Sequence, residues 1–70
     1  MLPLNPGKLY QFTHNTIYPY CGMIVMLTRV EHYICPLGNA VRLYFLFEKR
    51  EAKLECLVDR CEQYISEYLS

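Results

Sequence analysis

Residues 40–49, AVRLYFLFEK, sort their side chains by strict alternation. Val41, Leu43, Phe45 and Phe47 fall on one face, and Arg42, Tyr44, Leu46 and Glu48 on the other. β-Branched and aromatic residues at period two predict a strand with one face in a core. Residues 23–34, MIVMLTRVEHYI, predict a second strand of two halves. The first half is apolar on both faces, with Met23, Val25 and Leu27 against Ile24 and Met26, the pattern of a strand covered on both sides. The second half alternates, with Val30 and Ile34 opposed to Arg29 and Glu31. A strand of this length often bends midway and serves two sheets. Pro36, Gly38 and Asn39 between the two runs predict an antiparallel hairpin.

Upstream, Pro6-Gly7 is a turn signal, and residues 8–13 carry Leu9, Tyr10 and Phe12 as a first strand. Residues 17–21 read as a loop or irregular edge, because Pro19 has no N–H to give to a ladder. The tail reads two ways. As one helix over residues 51–69, it sets Leu54, Leu57, Val58, Cys61, Ile65 and Tyr68 at helical spacing, with no Gly or Pro to interrupt. As a strand over 52–58, Ala52, Leu54, Cys56 and Val58 alternate with charged residues. Asp59 and Glu62 then form a capping box that opens a short helix over 60–69. The strand reading lacks a turn residue in Lys49-Arg50-Glu51, and the long-helix reading lacks a cap near residue 51. The strand reading is preferred. The expected fold is therefore mainly β with a C-terminal helix, and the alternative is α+β, a three-stranded antiparallel sheet with one long C-terminal helix.

Seventy residues make one small domain. A chain this short buries only about 60% of the surface its unfolded form exposes, and disulfides, metals or association are the usual supports. Seven tyrosines and a 53% hydrophobic fraction exceed what one small core hides, which favours association. Seven basic and seven acidic residues balance, so the basic excess of a nucleic-acid binder is missing. Charge is instead polarised along the chain: up to Thr28 the only fully charged side chain is Lys8, whereas ten follow from Glu48 onward. No secretory signal is read at the start, and the longest apolar run, residues 23–27, is too short to span a bilayer. A cytoplasmic location with reduced thiols is the expectation, or a place in a virus particle if the chain is phage-encoded.

The order of parts resembles the small SH3-like barrels, including short phage-encoded proteins of that build. A Pro-Gly turn precedes a Leu-Tyr-x-Phe strand, Gly22-Met-Ile-Val-Met-Leu starts the second strand, and a hairpin leads to Val-x-Leu-x-Phe. The resemblance covers roughly residues 6–60 and implies four to five antiparallel strands, a short helix, and a binding or assembly role. Polyproline recognition is not carried over, because the chain has no Trp and no acidic residue before Glu31.

Chemistry is sparse. Cys21, Cys35, Cys56 and Cys61, with His14 and His32, offer zinc ligands, but only Cys56 and Cys61 are close in sequence, and structural sites bring ligands in tight pairs. Buried thiols are the reading adopted, with a disulfide framework of three possible connectivities as the alternative. No phosphate loop or Cys–His nucleophile pattern stands out, so neither enzymatic activity, a cofactor nor a small-molecule substrate is expected. The candidate partner-binding residues are Tyr18 and Tyr20, in a charge-free loop, and Tyr44 and Leu46, on the second face of the 40–49 strand; tyrosine joins apolar area to a hydroxyl at interfaces. A protein partner or self-association is the expectation. The alternative is a nucleic-acid-binding barrel using Arg42, Lys53 and Tyr44, with Arg29, Lys49 and Arg50 nearby. The apolar tail residues Leu57, Cys61, Ile65 and Tyr68 are read as core, and form a dimer seam only if the sheet leaves them uncovered.

Overall fold

A computed structural model describes residues 2–14 and 20–68. Five antiparallel strands form one sheet: β1 (Leu9–Phe12), β2 (Ile24–Cys35), β3 (Gly38–Phe47), β4 (Arg50–Leu57) and β5 (Ile65–Glu67). Their order across the sheet is β4-β3-β2-β1-β5. A 3₁₀ segment, Val58–Gln63, joins β4 to β5. The mainly-β expectation holds, and the strand reading of the 52–58 region is the one the chain adopts.

The expected C-terminal helix does not form, in either its short or its long version. Residues 65–67 instead pair with the free edge of β1, setting Phe12 opposite Ile65, Gln11 opposite Ser66 and Tyr10 opposite Glu67. A helix there would leave the outer N–H and C=O groups of β1 without protein partners, and that tertiary demand overrides local helix propensity. Asp59 does not open a helix as expected: it lies in the first turn of the 3₁₀ segment, where Leu57 holds the cap position and makes no side-chain cap bond. Cys61 and Ile65 lie in the core, so they are covered without a dimer seam.

The expected barrel is not closed. β4 and β5 are the two edges of an open sheet, and the 3₁₀ segment spans the gap between them. Strand β5, of three residues, pairs with β1 alone.

The first half of β2 is covered on one face only, since Ile24 on the other is exposed. Val25 and Leu27 are buried against Tyr10, Phe12, Leu43 and Phe45. A bulge then intervenes: Leu27 faces Phe45, Arg29 faces Tyr44, and Thr28 is the extra residue. One inserted residue reverses which parity points inward. Val30 therefore packs on the core while Arg29 and Glu31 turn outward. The bend expected in this strand is this bulge, and it remains within a single sheet rather than joining two.

Below the core, Tyr10 ties down the lead-in segment. Its ring is fully buried, its hydroxyl donates to the Pro3 carbonyl at 2.7 Å, and it accepts the Asn5 N–H at 2.9 Å. Leu2 and Leu4 pack against the cluster that Tyr10 anchors. The β3–β4 turn is a two-residue connection, Glu48-Lys49, between the paired Phe47 and Arg50. Both turn residues have positive φ, 46° and 64°. That is the backbone of a type I′ hairpin, which matches strand twist but is usually built from Asn-Gly.

Candidate interaction surface

The outer face of the sheet is organised in cross-strand rows. Arg29, Tyr44 and Lys53 make one row, and Glu31, Arg42 and Glu55 the next. Side chains opposite one another on antiparallel strands lie close enough to pair, and in the second row the signs alternate. Glu31 accepts from Arg29 at 2.9 Å and from the Tyr44 hydroxyl, and Arg42 stands 3.7 Å away. Arg42 donates to Glu55 at 3.1 Å, and Lys53 lies 3.5 Å from the same carboxylate. The guanidinium of Arg29 stacks over the Tyr44 ring at 4.3 Å, and that of Arg42 over Tyr33 at 5.1 Å. The Tyr44 hydrogen bond, followed by that of Arg29, holds Glu31 below the usual carboxylate range; Arg42 does the same for Glu55.

Two apolar regions flank this charged band. At one end Leu9, Met26 and Leu46 occupy consecutive strands in register, with Ile24 two positions from Met26. Leu9, Ile24 and Leu46 are exposed. At the other end the β2–β3 hairpin projects Ile34 and Leu37, which are 83% and 81% exposed. Beside this tip lies a shallow groove of about 330 Å³, lined by Leu37, Gly38, Asn39, Leu57, Val58 and Asp59. Gly38 makes the tip possible: its φ of 130° lies where L side chains rarely sit.

The residues expected to contact a partner do not converge on one patch. Tyr18 lies outside the described residues. Tyr20 is half-buried and meets Phe12 and Phe47 edge-on, at 6.1 and 5.7 Å between centroids, so it has a packing role. Tyr44 is half-buried within the charged band, while Leu46 belongs to the apolar row beside it. Arg42, Lys53 and Tyr44, the set suited to nucleic acid, do come together. Glu31 and Glu55 stand between them and take up their charge.

Ile34 and Leu37 were not singled out by residue pattern. Their signal was two large aliphatic residues in and beside a Pro-Gly-Asn turn, where polar residues are the rule. Among the described residues no group of three or more His, Cys, Asp or Glu side chains converges on a common point. None of their helical segments is long and apolar enough to cross a membrane. Comparison with protein-family models, curated proteins and solved structures finds no match to this chain.

Proposed function

We propose that this chain is a non-catalytic assembly module of SH3-like build that self-associates through the tip of its β2–β3 hairpin. The observation that carries the reading is the exposure of Ile34 and Leu37 next to a groove with Leu57 and Val58 in its wall. Aliphatic side chains this exposed gain free energy when water is removed from them. Knob and groove lie on the same patch, which is the arrangement a twofold contact needs: each copy's Leu37 enters the groove of the other. Balanced charge removes long-range repulsion between copies. Five antiparallel strands around one core support the SH3-like reading, and a binding or assembly role suits the short phage-encoded barrels the sequence resembles.

Sedimentation velocity and native mass spectrometry across a micromolar to millimolar series test this reading. Wild type is expected to dimerise, and the double variant Ile34→Ser, Leu37→Ser to associate about tenfold more weakly or worse while keeping its β circular dichroism spectrum. A wild-type chain that stays monomeric throughout the series would overturn the proposal.

A further inference from the structure

Cys61 is part of the core, and Cys56 packs against the same cluster. Cys56 sits near the end of β4, opposite Val41. Cys61 sits in the 3₁₀ segment and is only 2% exposed. Their sulfurs are 3.1 Å apart, and both thiols are free. A bonded pair stands at about 2.05 Å, so closure needs a movement of about 1 Å. Cys21 and Cys35 show no such approach: one precedes β2 and the other ends it.

The local hydrogen bonds order the two thiols. Cys61 lies 3.7 Å from the Leu57 carbonyl and can donate its S–H there. Cys56 is then left to donate its own S–H to the Cys61 sulfur. This contact holds the Cys61 thiol below its usual range and pushes the Cys56 thiol up. Access distinguishes them too, since Cys56 is half-buried and Cys61 is enclosed.

We infer that Cys56 and Cys61 form a reversible dithiol–disulfide site, oxidised by low-molecular-weight disulfides of the glutathione class. Access rather than ease of ionisation selects Cys56 for the first step: its small ionised fraction attacks one sulfur of the oxidant. A mixed disulfide forms, and the other half of the oxidant leaves as thiolate. The Cys61 thiolate then attacks the Cys56 sulfur, forming the intramolecular bond and expelling the second small thiolate. Two electrons pass from the cysteine pair to the oxidant, which becomes two small thiols. The two cysteine protons end on those leaving groups through solvent. Excess small thiol reverses both steps.

The placement gives the bond a structural effect. The 3₁₀ segment is the bridge between edge strands β4 and β5, so a Cys56–Cys61 bond fastens that bridge to β4.

The full chain, equilibrated with oxidised and reduced glutathione under native conditions, provides the test. After alkylation and tryptic digestion, residues 54–60 and 61–70 are expected as one disulfide-linked product, with Cys21 and Cys35 alkylated. The disulfide equilibrium constant is expected to be about tenfold larger in the native chain than in urea, and the oxidised form to unfold about 5 °C or more higher. Cys56→Ser and Cys61→Ser each abolish the linked product, whereas Cys21→Ser and Cys35→Ser retain it. The wild-type peptide map does not depend on any variant folding. Separate alkylated peptides, a persistent glutathione adduct on Cys56, or equal constants in buffer and urea would each overturn the site.

Discussion

Tyr10 shows how one hydroxyl joins the core to the chain that precedes it. The ring sits among apolar neighbours, where an unpartnered hydroxyl is costly, and both of its hydrogen bonds run to backbone groups of the lead-in segment. Tyr10→Phe keeps the ring and removes both bonds, leaving the Pro3 carbonyl and the Asn5 N–H to find water. A loss of about 1–2 kcal/mol in urea-monitored unfolding is expected, with faster hydrogen exchange over residues 2–8. Thr28 acts as strongly without being buried. As the extra residue of the bulge it sets Arg29 and Glu31 on the outer face, and its hydroxyl donates to the Tyr44 carbonyl at 3.1 Å.

Among the elements, the β3–β4 hairpin carries the clearest local conflict. Glu48 and Lys49 adopt left-handed backbone, which disfavours residues with a Cβ. Lys49→Gly relieves the second position and is expected to stabilise the chain by about 0.5–1 kcal/mol in denaturant unfolding, even though glycine also loosens the unfolded chain. The same conflict explains what the sequence concealed. A turn made by Glu-Lys carries no Gly, Asn or Pro to mark it, so the alternation of Ala52, Leu54 and Cys56 competed with an uninterrupted helical pattern. β2 and β3 were legible because their alternation is long and their turn contains Pro, Gly and Asn. β5 was not, because three residues, Ile-Ser-Glu, become a strand only when the edge of β1 is there to receive them. Of the expected contact residues, Leu46 lies in an exposed apolar row, whereas Tyr20 is occupied with Phe12 and Phe47. Alternation reports which side of a strand a residue takes; it does not report which loop aromatics fold back onto the core.

At the scale of the whole molecule, the outer face couples stability to pH. Glu31 and Glu55 are held below the ordinary carboxylate value near 4.5 by Tyr44, Arg29 and Arg42. Groups with lowered values in the folded state bind fewer protons there than in the unfolded chain. Their contribution is therefore present above pH 4.5 and is lost as pH falls through the folded values. The urea midpoint is expected to fall as the solution is taken from about pH 5 to about pH 2, and Glu31→Gln with Glu55→Gln to flatten that dependence. Both carboxylates are solvent-exposed, so added salt should weaken the effect. An undiminished pH slope in the double variant would assign the acid sensitivity elsewhere.

The pairing of β1 with β5 also has a consequence for synthesis on the ribosome. β2, β3 and β4 are joined by two-residue turns and can zip together as they emerge. β1 leaves first, yet its outer edge gains a partner only after residues 65–67 have been made. Until then the nascent chain carries an open strand edge, and the core lacks Cys61 and Ile65. Long-range pairing of this kind forms slowly and leaves edges exposed to other chains. The most vulnerable interval therefore falls between the synthesis of β1 and that of β5, and three residues end it.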